Sequence, residues 1–64
     1  MNTGDKVMFL EDIRIPVGDK GYFPVAMGDL GIIENVLDDK LTIKLLTKDG
    51  TVIAPKEIKL YQFQ

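Results

Sequence analysis

The stretch Lys40-Leu41-Thr42-Ile43-Lys44-Leu45 decides the fold class, because apolar and polar side chains alternate along it without interruption. A period of two residues is typical of a β-strand that buries one face. Asp38-Asp39 precedes this stretch and Lys48-Asp49-Gly50 follows it. Asp-Gly between apolar segments indicates a β-hairpin, because glycine adopts positive φ without strain. The sequence therefore predicts a three-stranded meander over residues 31–54, with strands at 31–37, 40–46 and 51–54.

The remaining segments extend this prediction to an all-β chain. Residues 6–10 read as a first strand and residues 60–63 as a last one, while Pro55-Lys56-Glu57-Ile58 resembles a single helical turn that begins with proline. Residues 11–29 contain two prolines and three glycines and read as a long irregular loop. Ile33 and Val36 are three positions apart, so a β-bulge near Glu34-Asn35 is expected to return both to the core. The expected interior residues are Val7, Phe9, Ile33, Val36, Leu41, Ile43, Leu45, Ile53, Ile58 and Leu60.

Composition restricts the possible function. The 64 residues allow one domain (1–64) and contain neither cysteine nor histidine. Thiol nucleophiles, histidine bases and zinc ribbons are therefore excluded, and we expect no catalytic residues, no metal site and no cofactor. The Gly-Asp pairs at 4–5, 18–19 and 28–29 are typical of turns and lack the ligand pattern of a calcium loop. The acidic pairs Glu11-Asp12 and Asp38-Asp39 are expected to diverge into solvent rather than form an acid–base couple.

Several motifs carry a resemblance to a known fold. They are Gly4-Asp5-Lys6-Val7, Gly28-x-x-Gly31-x-Ile33 with its following hairpin, and Glu57-Ile58-Lys59-Leu60. Their layout resembles SH3-like barrels, both the KOW-type domains and the free-standing SH3-like accessory subunits. The resemblance implies a single five-stranded SH3-like barrel, with a long loop after strand 1 and a short helical turn before the last strand. Because no catalytic residues are expected, we predict a non-catalytic accessory, regulatory or inhibitory subunit that docks on a larger intracellular protein or complex.

Apolar residues in the 11–29 loop suggest where a partner binds. This loop carries more large apolar side chains than a small barrel needs for closure, and a surplus of this kind forms an exposed patch. The alternative is that these side chains only complete the core. If Asp49-Gly50 closes with a glycine bulge, Leu46 and Val52 pair on the outer face and add to the patch. The predicted partner-binding residues are Tyr22, Phe23, Met27, Asp19, Asp29, Leu46 and Val52.

Charge distribution supports an alternative function. The net charge is −2, but residues 1–39 carry eight acidic and three basic side chains, whereas residues 40–64 carry two acidic side chains and five lysines. A KOW-type nucleic-acid or ribonucleoprotein-binding domain would use this second half, although the acidic hairpin around Asp38 disfavours phosphate contact. Solvation of the strand edges also explains the lysines, and self-association through the apolar patch is a third alternative. The residues of the nucleic-acid alternative are Lys40, Lys44, Lys48, Lys56, Lys59 and Tyr61.

Segment hydropathy and residue types suggest a compartment. No apolar run approaches the roughly 18 residues of a membrane span, and the residues after Met1 do not form a signal peptide. The absence of cysteine fits a reducing environment. We therefore expect a protein of the cytoplasm, or of another reducing intracellular compartment, without a membrane span.

Overall fold

The structure is a computed structural model, and the description below concerns residues 1–63. The described chain is all-β, as the sequence predicts. Seven short strands and one 3-10 turn, η1, follow one another along the chain. They are β1 (Lys6–Phe9), β2 (Ile13–Pro16), η1 (Gly18–Lys20), β3 (Tyr22–Val25), β4 (Leu30–Val36), β5 (Lys40–Leu45), β6 (Thr51–Pro55) and β7 (Leu60–Gln62).

The strands form two antiparallel sheets. The larger sheet has five strands in the order β6-β5-β4-β1-β7, and β2 pairs with β3 in a separate hairpin. Within residues 1–63 no strand pairing closes the larger sheet into a ring. The predicted meander is confirmed as β4-β5-β6. In β4, a Cβ added to Gly31 would lie 2.5 Å from the Cγ2 of Ile43 and 3.1 Å from Lys44 O, so a side chain at this position would require β5 to shift.

The core lies between the larger sheet and the hairpin. Both contribute to one cluster of ten buried hydrophobic residues, and no buried polar or charged residue occurs in the described chain. Ile15 and Val25 come from the hairpin, which packs over the sheet and places β2 against β6. The cluster comprises Val7, Phe9, Ile15, Val25, Ile33, Leu41, Ile43, Leu45, Val52 and Ala54.

The predicted bulge in β4 is confirmed. The register between β4 and β5 shifts between Ile33 and Asn35, so Ile33 pairs with Ile43, and Val36 pairs with Leu41. Ile33 is fully buried, but Val36 is 36% exposed and lies outside the core cluster, so the prediction that it is a core residue is wrong. The bulge sets the correct face, but Val36 is the last residue of β4 and little of the core covers it.

The prediction of an irregular loop over residues 11–29 is wrong in its centre. Ile13 pairs with Val25, and Ile15 pairs with Phe23, which turns this segment into a hairpin around η1. The prolines do not disrupt the pairing, because Val17 N–H donates to Gly21 O and hydrogen-bonded pairs then recur at every second position. Pro16 and Pro24 occupy the intervening positions, where no N–H is needed between the strands.

The predicted register of β6 is also wrong. Val52 pairs with Ile43 and is 1% exposed, whereas Ile53 pairs with Thr42 and is 56% exposed. Lys44 pairs with Thr51, and the predicted bulged turn at Asp49-Gly50 does not form. We call the six residues between this pair, which begin with the last residue of β5, the 45–50 connection. This spacing places Val52 in the core, so Leu46 and Val52 do not pair on the outer face.

The predicted helical turn at residues 55–58 is wrong in form. Pro55 ends β6, and Ile58 N–H approaches Pro55 O at 3.4 Å across a simple turn. The only helical segment in residues 1–63 is η1. The last strand, β7, then pairs with β1.

Candidate functional site

The outward side of the β2–β3 hairpin is the first candidate surface. Alternation along the two strands buries Ile15 and Val25. It turns the side chains at the alternate positions 14, 16, 22 and 24 toward solvent. The cross-strand pairs on this side are Arg14 with Pro24 and Pro16 with Tyr22. We call this surface, together with Met27, the hairpin face; it comprises Arg14, Pro16, Tyr22, Pro24 and Met27.

A groove runs along the hairpin face. It is open to solvent, encloses about 610 Å³ and is lined by residues from both strands and by Lys48. The Lys48 Nζ donates to Pro24 O at 3.2 Å, which holds this side chain at the border of the groove. Apolar side chains thus form much of the surface, with two cations and one carboxylate at its margins. The lining residues are Asp12, Ile13, Arg14, Pro24, Val25, Ala26 and Lys48.

Tyr22 and Met27 are not among the residues that line this groove, but each adjoins residues that do. Tyr22 is 65% exposed and lines a second depression with Arg14 and Pro24. Met27 is 66% exposed, and its N–H donates to Asp12 Oδ1 at 2.8 Å. Both predicted contact residues are therefore exposed, one beside Arg14 and Pro24 and the other beside Asp12.

Phe23 occupies a different position from its neighbour Tyr22. Its side chain is half-buried and packs against the core. A Cβ added to Gly50 would lie 3.2 Å from its ring, so the ring rests directly on the 45–50 connection. Phe23 supports the hairpin from beneath and presents little surface to a partner.

The carboxylate of Asp29 connects several segments of this region. Its carboxylate accepts hydrogen bonds from Ala26 N–H at 2.9 Å and from the Thr47 hydroxyl at 2.8 Å, and it forms an ion pair with Lys48 at 3.1 Å. These donors favour the charged form, so the bonds from Ala26 and Thr47, and then Lys48, lower the pKa of Asp29. Asp29 thus holds the β3–β4 turn and orients Lys48, whereas Asp19 is exposed on η1.

The two remaining predicted contact residues lie away from the hairpin face. Val52 is a core residue and cannot touch a partner. Leu46 is 50% exposed, and its N–H donates to Leu30 O at 2.8 Å, which places it beside β4 on the larger sheet.

The lysines of the nucleic-acid alternative are not gathered at one place. Lys48 belongs to the groove, and Lys56 and Lys59 lie on the turn between β6 and β7. Lys40 and Lys44 project from β5, and Tyr61 projects from β7 with 51% of its surface exposed. The full set therefore does not form one surface.

Sequence reasoning missed two groups of residues on these surfaces. Arg14 lies between two isoleucines, and this alternation is typical of a strand whose arginine faces solvent. The nearby prolines and glycines instead indicated an irregular loop, so the strand was not predicted. Lys6 and Phe63 come together through the pairing of β1 and β7, with the Nζ of Lys6 at 5.3 Å from the centre of the Phe63 ring. No pattern in the sequence around either residue predicts that contact.

Comparisons with known proteins add no family to this description. No protein-family model matches the chain, and searches of curated proteins and of solved structures gave no match. Among residues 1–63, no helix has the length and hydrophobicity needed to cross a membrane.

Proposed function

We propose that this chain is a non-catalytic interaction module that docks, as an accessory, regulatory or inhibitory subunit, on a larger intracellular protein. The observation that carries the proposal is the exposure of Tyr22 and Met27. They are the most exposed large hydrophobic residues of the described chain, at 65% and 66%, and each adjoins residues that line the groove: Arg14 and Pro24 beside Tyr22, and Asp12 beside Met27. Aromatic and methionine side chains are enriched in the buried centres of protein interfaces. A small chain retains such exposed residues when a partner covers them.

We infer that the fold is an SH3-like barrel in which the hairpin closes the open side of the five-stranded sheet. Two observations support this inference. The hairpin shares the core cluster with the sheet, and β2 lies against the edge strand β6. In the sheet, the first strand lies between the last strand and the meander, which brings the two ends of the chain together at one side. In this arrangement the hairpin face belongs to a rigid body.

Prolines on the hairpin favour a partner that recognises side chains. Strand addition to an exposed edge requires free backbone N–H groups. At the edge of β3, Pro24 has no N–H and its carbonyl already accepts a bond from Lys48. Pro16 likewise removes a donor from β2. The partner is therefore expected to insert apolar side chains into the groove and to place an acidic group near Arg14.

A capture experiment tests the proposal. The tagged chain is incubated with a nuclease-treated lysate of its source cells, and the affinity of the purified partner is then measured by calorimetry. We expect the double variant Tyr22→Ala/Met27→Ala to bind the partner at least tenfold more weakly, because such anchor residues contribute most of the binding energy. Leu37→Ala is the matched control, since Leu37 is 43% exposed at the β4–β5 tip. Equal binding by the double variant and the control would refute the site.

A further inference from the structure

The outward side of the five-stranded sheet presents two adjacent rows of side chains. In the first row Met8 pairs with both Leu30 and Tyr61, and Leu46 extends it by donating its N–H to Leu30 O. In the second row Ile32 pairs with both Lys6 and Lys44. Cross-strand partners lie side by side on one face of a sheet, so one row is apolar and the next is cationic. We call this surface the sheet face; it comprises Leu46, Leu30, Met8, Tyr61, Lys44, Ile32, Lys6 and Phe63.

Two aromatic rings mark the β7 end of the sheet face. The rings of Tyr61 and Phe63 meet edge to face, with centres 5.1 Å apart and planes at 86°. The Nζ of Lys6 lies 5.3 Å from the centre of the Phe63 ring, a cation–π contact. Phe63 is thereby held between a ring and an ammonium group, while Tyr61 keeps 51% of its surface exposed. Tyr61 is thus a supported ring that is accessible to a second planar group.

Charge is segregated between this sheet and the rest of the molecule. Of the ten acidic residues of the chain, only Glu34 lies within the five strands of the sheet. Three lysines lie within these strands, namely Lys6, Lys40 and Lys44. The acidic net charge therefore arises from loops and turns, and the strands of the sheet carry a local positive excess. An anionic partner meets favourable charge here, and a second copy of the chain would oppose lysine to lysine.

We propose that the sheet face binds single-stranded nucleic acid, a function additional to protein docking at the hairpin face. Lys6 and Lys44 are separated by two strand spacings, about 10 Å, so each can contact its own phosphate. The apolar row lies two residues further along the strands, roughly 7 Å away. A base that stacks on Tyr61 therefore has its phosphate within reach of the lysine row. Stacking on an aromatic ring beside a cationic track is the mode by which open strands are bound without sequence preference.

Fluorescence anisotropy with labelled oligothymidylate and oligouridylate of about 15 nucleotides tests the proposal. The purified full chain is titrated into each probe at several salt concentrations. Two phosphate contacts predict a slope of about −1.4 in a plot of log affinity against log salt, since each contact to a single strand contributes about −0.7. Binding of either probe with this slope supports the proposal.

Variants locate the binding surface. Lys44→Gln and Lys6→Gln are each expected to reduce the slope by about 0.7. Tyr61→Ala is expected to weaken binding about tenfold, whereas Tyr61→Phe, which keeps a stacking ring, stays within about twofold. Lys56→Gln removes an equal charge outside the sheet and leaves the affinity unchanged. Tyr22→Ala/Met27→Ala is also expected to bind both probes like the unmodified chain, which separates this proposal from the protein-docking proposal.

Three results would overturn the proposal. The first is the absence of binding to both probes at low salt. The second is equal loss of affinity in Lys56→Gln and Lys44→Gln, because it would indicate diffuse attraction rather than a surface. The third is an unchanged affinity of Tyr61→Ala in a variant whose circular dichroism matches that of the unmodified chain.

Discussion

At the scale of single residues, Asp29 illustrates how a carboxylate serves folding in a region that also forms a binding surface. Its position after Met27-Gly28 predicts a turn residue at the margin of an interface. In the structure its oxygens accept bonds from Ala26 N–H and the Thr47 hydroxyl, and Lys48 lies at 3.1 Å. Thr47 in turn accepts the N–H of Leu30 at 3.1 Å, so one side chain connects two turns. Asp29 therefore orders the border of the groove rather than contacting a partner.

Replacement of Asp29 by asparagine is expected to lower the free energy of unfolding by about 1 kcal/mol at pH 7, the typical contribution of a charged hydrogen bond over a neutral one. Asp19→Asn makes the same chemical change at an exposed position of η1 and is expected to stay within about 0.5 kcal/mol. Urea denaturation of both variants at pH 7 checks this difference.

The same variant carries a pH prediction. Because the pKa of Asp29 is lowered in the folded state, its stabilisation is complete at neutral pH and is lost as the pH falls through that lowered pKa. The difference in unfolding free energy between the unmodified chain and Asp29→Asn should therefore shrink below about pH 4. A difference that stays constant from pH 7 to pH 2 would show that the charge of Asp29 does not contribute.

At the scale of elements, strand type was predictable where alternation is long and ambiguous where it is short. The strand through Ile43 alternates over six residues, and the bulge in β4 follows from the spacing of Ile33 and Val36. The hairpin strands have only four residues each, and their prolines are usually read as breakers. The pairing of β2 with β3, which brings Arg14 beside Pro24 in the groove, joins residues distant in sequence, so neighbouring residues do not encode it.

The register of β6 could not be predicted, because Val52 and Ile53 are both apolar. Either residue could fill the core position in β6. Which of them does so depends on whether the number of residues between paired positions of β5 and β6 is even or odd. The observed pairing of Lys44 with Thr51 settles it in favour of Val52.

This register gives an element-scale prediction. Val52→Ala removes two buried methyl groups and is expected to lower the free energy of unfolding by about 2 kcal/mol. Ile53→Ala removes more carbon from an exposed position and should cost less than about 1 kcal/mol. Denaturant midpoints of the two variants, compared at equal slope, test the assignment. A larger loss of unfolding free energy for Ile53→Ala than for Val52→Ala would contradict the observed register and favour the bulged one.

At the scale of the whole molecule, one core joins the sheet to the hairpin. Ile15 and Val25 pack in the same cluster as Phe9 and Ile33. The two candidate surfaces lie on the outward sides of this arrangement, one on the hairpin and one on the sheet. A shared core between them means that the hairpin is not a detachable loop.

Thermal unfolding is accordingly expected to be a single transition. For 64 residues the heat-capacity change should be about 0.8–1.0 kcal/mol/K. Tyr22 on the hairpin and Tyr61 on the sheet serve as separate NMR probes and should give the same midpoint. Ile15→Val, at a cost of about 1 kcal/mol, should lower both midpoints together by about 4–8 °C. Melting of Tyr22 before Tyr61 would show that the hairpin unfolds independently.

The contacts of the 45–50 connection limit how this protein tolerates insertions. The Phe23 ring rests on Gly50, and Lys48 bonds to Pro24 O and to Asp29, so a longer connection would displace one side of the groove. The β4–β5 tip at Asp38 is exposed and far from these contacts in the chain. Length changes during evolution, and fusions or tags made in the laboratory, should therefore be accepted at the β4–β5 tip and rejected between Leu45 and Thr51.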